Sequence, residues 1–308
     1  MVQANSSFSG SIFVVICLLM LSGCNQKSDL DIADRTKIDV FVTAPPHAWL
    51  IKQIGGDKVN VHKLLTPGDD PHTFEATPKQ MLQVKKSDVF FTSEMRLEEI
   101  LIDRFLLNSS NSQENSPKLV PLNPHSEAQN KEHNHTVSHA EAHDCAVNDP
   151  HNWLNPDMLY IQASSIASGL SLIIPVDSSF FNKNLHIFLD SLKDCKNTLD
   201  NLLEPHSDKS FIVFHPSFGH FADAYGLTQI AIEHEGKSPS PRQLKEIIEM
   251  ARKEKLNTIF IQPQFDQKAA STVSETIDAG LVILDPLREN VLLNLYEIGE
   301  KIAASYSD

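Results

Sequence analysis

The chain lacks several features that would assign it to common functional classes. It has 26 Lys and Arg residues against 40 Asp and Glu, a formal net charge of -14 at pH 7. This shortage of positive charge argues against nucleic acid as a partner and against electrostatic binding to an anionic membrane surface. Four cysteines are too few for a disulfide scaffold. A bridge between Cys145 and Cys195 is chemically permitted, but Cys145 lies at the edge of a histidine-rich segment and Cys195 in a predicted helix, so the sequence does not favour their pairing.

A long apolar run is also missing, because the stretch Ile12–Leu21 is too short to cross a bilayer as a helix. It is followed by "LSGC", residues 21–24, which resembles the box of bacterial lipoproteins. We therefore expect a signal peptide at 1–23, lipidation of Cys24, a polar tether at 24–37 and a folded body outside the cytoplasm. No Lys or Arg precedes Ile12, a departure from the usual signal. An unlipidated signal with a chance cysteine is the alternative.

Short apolar runs alternate with helical patterns through both halves of the chain. Helices are marked by Thr77, Asn155 and Ser240 as N-caps, each followed by proline. Such alternation predicts an α/β protein whose parallel sheets are covered on both faces, with a cleft between two similar halves. The predicted strands are "KIDVFVT", "VNVHKLL", "DVFFTS", "KLVPL", "SFIVF", "TQIAI", "NTIFIQ" and "GLVILD".

One long helix separates the two halves. Apolar side chains recur at alternating steps of four and three, and no Gly or Pro interrupts them before Pro205. We predict an N-terminal lobe at 38–174, a stiff connecting helix at 175–206 and a C-terminal lobe at 207–308. The predicted apolar stripe consists of Phe181, Leu185, Phe188, Leu192, Cys195, Leu199 and Leu202.

Four residues with metal-ligand chemistry fall in loops that follow predicted strands or precede predicted helices. They are His72, His151, His215 and Asp285. In open α/β sheets the functional crevice lies beyond the carboxyl ends of the strands, so each half offers two ligands to the cleft. Three imidazoles and one carboxylate suit zinc in a closed, tetrahedral set.

Five segments together make a family recognisable. "LLTPGDDPHTFEATP", "DPHNWLNP", "VFHPSFGHFADAYGL", "IFIQPQFD" and "ILDPLREN" resemble the metal-specific solute-binding lipoproteins of bacterial ABC importers, the cluster A-I family. The resemblance covers residues 38–308. It implies two Rossmann-like lobes joined by a rigid helix, with metal held between them.

The resemblance also implies a function. Its ligands fall on His72, His151, His215 and Asp285, and its partner is an ABC permease. The manganese branch usually carries Glu where this chain has His215, so the ligand set favours zinc over manganese. We expect a monomeric receptor that delivers Zn²⁺ for import and is not an enzyme; a manganese or iron receptor is the same-class alternative.

Three positions depart from the family pattern or compete with its ligands. Gln262 stands where Glu is common, which puts a second acid near the cleft in doubt. His47 stands where an apolar residue is usual. It is either an accessory ligand or, as we expect, a histidine in the first turn of a helix. His220 is a nearby imidazole that could compete for metal.

A histidine-rich segment, residues 125–144, lies between the fourth strand and the "DPHNW" loop. A polar loop of this kind can form transient zinc contacts and raise the local zinc concentration, or sense zinc abundance. A solvated insertion without a role is the alternative. Its histidines, which we treat as accessory ligands, are His125, His133, His135, His139 and His143.

Two functions of other classes are alternatives to a metal receptor. A zinc-dependent hydrolase would need an open coordination position and a general base. Four protein ligands would leave no open coordination position, which argues against a hydrolase. Glu75 is the best candidate for the general base. An adhesin lipoprotein is the other rival, and no sequence feature supports it.

Overall fold

The computed structural model describes residues 37–71, 73–93, 95–103, 116–124, 149–233, 239–265 and 267–306. The predicted signal peptide, the tether up to residue 36, Cys24, Cys145 and the histidine-rich segment lie outside these ranges, as does His72. Within the ranges, no helix is both long enough and apolar enough to span a membrane.

In the part of the chain that the structure describes, eight strands form two four-stranded sheets in which every pairing is parallel. The first sheet has the order β2-β1-β3-β4 and the second the order β6-β5-β7-β8, so both share one topology. The prediction of an α/β fold with parallel sheets is therefore confirmed. The strands are β1 (Ile38–Val42), β2 (Val59–Lys63), β3 (Val89–Thr92), β4 (Lys118–Pro121), β5 (Ser210–Val213), β6 (Thr228–Ala231), β7 (Thr258–Ile261) and β8 (Gly280–Ile283).

Helices connect the strands, as parallel pairing requires. Thr77 and Ser240 each form a capping box with a glutamine three residues on, and Asn155 caps through its side chain. The helices are α1 (Pro45–Gly55), α2 (Pro78–Lys86), α3 (Arg96–Leu101), α4 (Pro156–Ile173), α5 (Ser178–Leu203), α6 (Gly219–Ala224), α7 (Pro241–Glu254), α8 (Gln267–Ile277) and α9 (Val291–Ala304).

The long helix predicted between the halves is α5, with 26 residues. It packs against α1 and α4 of the first half and against α9 of the second. Its buried stripe agrees with the prediction at five positions, but Leu185 is only half-buried, and Leu203, not Leu202, is the buried residue near the end of the helix. Cys195 lies in this stripe as a buried thiol, with its Sγ 3.8 Å from the carbonyl oxygen of Leu292.

Backbone hydrogen bonds extend the parallel pairing of the second sheet beyond the ends of its strands. The Phe214 amide donates to Phe260, the Glu233 amide to Phe214 and the Leu284 amide to Ile261. This continuation matters for function because it brings the residues after each strand to fixed neighbouring positions at the carboxyl edge of the sheet.

Candidate metal site

His151 lies in the segment that leads into α4, just before a single 3-10 turn at Asn152–Leu154. The side chain of Asp149 holds it in place, because Oδ1 accepts from the His151 amide at 2.9 Å and lies 2.6 Å from Nδ1. Both side chains are almost fully buried, 4% and 6% exposed. A neutral imidazole that donates from Nδ1 carries its lone pair on Nε2, so a metal would bind there.

The charge of Asp149 is stabilised by its neighbours. Burial alone would raise the pKa of this carboxyl group. The facing His151 ring, its hydrogen bonds and His220 reverse that effect and hold the pKa below its ordinary value. A negative charge therefore stays behind the His151 ring at neutral pH.

His215 stands two residues after the end of β5 and is 5% exposed. Gln262, after β7, holds its backbone on both sides: the Gln262 Oε1 accepts from the His215 amide at 3.2 Å, and Nε2 donates to the His215 carbonyl at 2.8 Å. The His215 ring stacks on Phe265 with centroids 4.3 Å apart, and its Nδ1 lies 3.4 Å from Oε1 of Glu233. Gln262 thus restrains the His215 backbone, while Phe265 and Glu233 restrain its ring.

The two imidazoles face each other across a small pocket. The centroids of the His151 and His215 rings are 6.2 Å apart. This separation is close to the distance of about 5 Å expected for two rings that coordinate one tetrahedral zinc ion with zinc–nitrogen distances of about 2.1 Å. The pocket is lined by Pro71, His151, His215, Ser217, Gln264, Phe265, Pro286 and Leu287.

Asp285 follows β8 and stands next to two residues of that lining. Its Oδ1 accepts from Nε2 of Gln264 at 2.8 Å and from the Leu287 amide at 3.0 Å. Its backbone carbonyl accepts from Asn294 of α9 at 2.8 Å. Two protein donors therefore fix the carboxylate of Asp285 through its Oδ1, beside Gln264 and Leu287 of the pocket lining.

The structure thus brings His151 and His215 together and puts the Asp285 loop at the same pocket. Pro71, which precedes His72, also lines it. Among the residues that the structure describes, no group of three or more His, Cys, Asp or Glu side chains lies close enough to hold a metal ion. The complete set of four ligands therefore stays a prediction.

The two halves meet at this pocket through specific contacts. The indole of Trp153 donates from Nε1 to the carbonyl of Pro286 at 2.7 Å, beside Asp285. Nε2 of His220 lies 2.9 Å from the carbonyl oxygen of Asp149. His220 thus contacts the segment that carries His151. This contact explains the position of His220 without a role as a metal ligand.

His47 lies in the first turn of α1, as we expected. It is 1% exposed, and its ring packs edge-on against Trp153 with centroids 5.0 Å apart. Within the described part of the chain, neither ring nitrogen has a hydrogen-bond partner. Burial lowers its pKa to about 3, a shift that the nearby Gln162 side chain opposes. His47 is therefore neutral at physiological pH.

Sequence reasoning missed the residues that hold the predicted ligands. Asp149 stands two positions before His151, at the start of the segment "DPHNWLNP". Glu233 follows β6 just as His215 follows β5. The available signal for Glu233 was a polar residue just after a strand, and for Asp149 it was an acid close to a predicted ligand. Position 262 carries glutamine and so offers no carboxylate near the cleft. Glu233 provides a carboxylate there instead.

Comparison with known proteins decides the family. The family model described as "Zinc-uptake complex component A periplasmic" matches residues 40–294, most of the chain. The chain belongs to this family. Members are metal-binding receptors of ABC transporters and not enzymes, so the expectation of a non-enzymatic receptor is confirmed and a hydrolase is ruled out.

Individual relatives agree on the class of protein. A metal ABC transporter substrate-binding lipoprotein of Lactococcus lactis is 28% identical over 292 residues, covering 92% of this chain and 88% of the relative. The manganese ABC transporter substrate-binding lipoprotein PsaA of Streptococcus mitis is 28% identical over 279 residues, covering 86% and 85%. A crystal structure of ZnuA is 31% identical with a TM-score of 0.76, covering 88% of this chain and all of that one.

Proposed function

We propose that this receptor captures Zn²⁺ outside the cytoplasm and delivers it to an ABC permease. Its ligands would be His151, His215 and Asp285, with His72 as the fourth. The observation that carries the proposal is the pair of buried imidazoles 6.2 Å apart, each with a carboxylate at Nδ1. Carboxylate–histidine pairs of this kind fix ring orientation and raise ligand basicity at zinc sites.

Zinc is preferred to manganese because of the donor set. Three imidazole nitrogens and one carboxylate oxygen suit a borderline-soft ion, whereas manganese favours oxygen-rich sites. One relative is named for manganese, so the metal must be tested directly. Competition of Zn²⁺ against Mn²⁺ on the metal-free protein should leave zinc bound at equal concentrations. Displacement of zinc by manganese would refute the preference.

The ligands can be tested by substitution. We expect one high-affinity zinc per chain, and we expect His215→Ala or Asp285→Asn to weaken it by about tenfold or more. His186→Gln on the exposed face of α5 is the control and should bind as the parent does. Unaltered zinc affinity in His215→Ala would show that the ion binds elsewhere.

The protein would be held at the membrane by a lipid on Cys24 and act as a monomer. We further propose that the histidine-rich segment, residues 125–144, adds weaker zinc contacts near the main site. Its histidines must be neutral to bind, so these contacts should weaken below about pH 6.5. Calorimetric titration after deletion of the segment should show fewer weak sites and an unchanged strong one. Unchanged total stoichiometry would contradict its role.

A further inference from the structure

Glu233 is the buried acid that no ligand assignment includes. Its amide donates to the Phe214 carbonyl at 2.8 Å, which continues the β5–β6 pairing in which Val213 is opposite Ala231. Glu233 and His215 each stand two residues beyond the last paired residue of their strands, Ala231 and Val213. The backbone hydrogen bonds that follow this pairing therefore hold the carboxylate and the imidazole in neighbouring segments.

The Glu233 side chain contacts the His215 ring. Its Oε1 lies 3.4 Å from Nδ1 of His215, and the two side chains are 7% and 6% exposed. Burying a carboxylate costs free energy unless a partner compensates it. A metal-bound His215 is such a partner, because the ion makes the imidazole a stronger donor and adds positive charge beside the acid.

We propose that Glu233 is a positioning residue for the metal: it keeps His215 in the tautomer with the proton on Nδ1 and so directs Nε2 to the ion. The inference rests on His215 being a ligand, as proposed above. Gln262 plays a different part, because it contacts only the His215 backbone among the bonds described and so fixes the chain and not the tautomer.

Two substitutions separate hydrogen bonding from charge. In Glu233→Gln the amide oxygen can still accept from Nδ1, so the tautomer should persist while the loss of charge weakens zinc binding by about tenfold. In Glu233→Leu no acceptor remains. The tautomers should mix, and zinc binding should weaken by about a hundredfold. Glu246→Gln removes the same charge from the exposed face of α7 and should leave affinity unchanged.

The measurement is made on the full-length protein. Long-range proton–nitrogen NMR of histidine-labelled, metal-free protein at about pH 8 reports the tautomer of His215. Its signals are assigned by their loss in His215→Gln. Zinc affinity is measured by competition with a chelator, and circular dichroism checks the fold.

The outcomes are distinct. A Glu233→Leu protein that keeps the Nδ1–H tautomer, or that binds zinc as the parent does while His215→Ala does not, would overturn the inference. If His215→Ala itself binds zinc normally, the proposed metal site fails, while the NMR result still decides whether Glu233 sets the tautomer.

Discussion

His47 should make the protein sensitive to acid, and replacing it should remove part of that sensitivity. The ring is fully buried against Trp153 in the first turn of α1, and its pKa is lowered to about 3. In the unfolded chain the same imidazole titrates near its ordinary value of 6.5. Between these two values the unfolded state binds a proton that the folded state does not.

The direction of the pH effect on stability follows from the linkage between proton binding and folding. A lowered pKa in the folded state means that stability is fully present above about pH 6.5 and is lost as the pH falls toward about 3. Between about pH 8 and about pH 4.5 the difference amounts to about two pKa units, or about 3 kcal/mol. We therefore expect the parent to lose about 3 kcal/mol more than His47→Phe over this interval. Phenylalanine keeps an aromatic ring against Trp153 but has no titratable group.

Urea unfolding at a series of pH values, with a chelator present to exclude metal, measures this difference. Only the change with pH is compared, because the substitution also alters packing. His186→Gln on the exposed face of α5 should follow the parent curve. Parallel curves for the parent and His47→Phe would refute the reasoning, because they would mean that the buried ring accepts a proton without unfolding.

Three further predictions follow from the packing and the pocket. Gly169→Ala would put a Cβ 2.8 Å from Cε1 of the buried Phe91. Urea unfolding should show that the free energy of unfolding falls by about 1–3 kcal/mol, although alanine has the better helix propensity. Ser168→Ala on the exposed side of the helix should cause no such loss. Gln262→Ala removes both hydrogen bonds to the His215 backbone, and calorimetry should show weaker zinc binding together with a loss of about 1–3 kcal/mol in unfolding. Trp153 lies 5.3 Å from His151 between ring centroids, so zinc should alter its fluorescence in Trp49→Phe; an unaltered spectrum on saturation would contradict binding at His151.

The strands were the most predictable part of the structure. All eight apolar runs form strands, because a sheet covered on both faces needs continuous apolar segments and these are visible in the sequence. The caps at Thr77, Asn155 and Ser240 were equally clear, because capping depends on side chains within three residues. The short helices α3 and α6 and the helix α8 were not predicted. Helices of this kind depend on packing against the sheet more than on local propensity.

The long helix shows where local reasoning ends. Periodicity predicted its length and most of its buried stripe. At its end the buried residue is Leu203 and not Leu202. Which of two adjacent leucines is buried depends on the side from which α9 approaches, and α9 begins almost ninety residues later in the chain.

The sequence by itself determined the alternation of strands and helices, the stiff connection between the halves and the residue types able to bind a metal, because each of these depends on neighbours within a few positions. Tertiary structure alone decided that His151 and His215 face one pocket and that Asp149, Glu233 and Gln264 stand behind the candidate ligands. Most of these contacts join residues far apart in the chain, and they exist only because parallel pairing brings the ends of different strands to one edge. The opposite imidazole comes from the other half of the chain and reaches the pocket only when both halves pack on the same long helix.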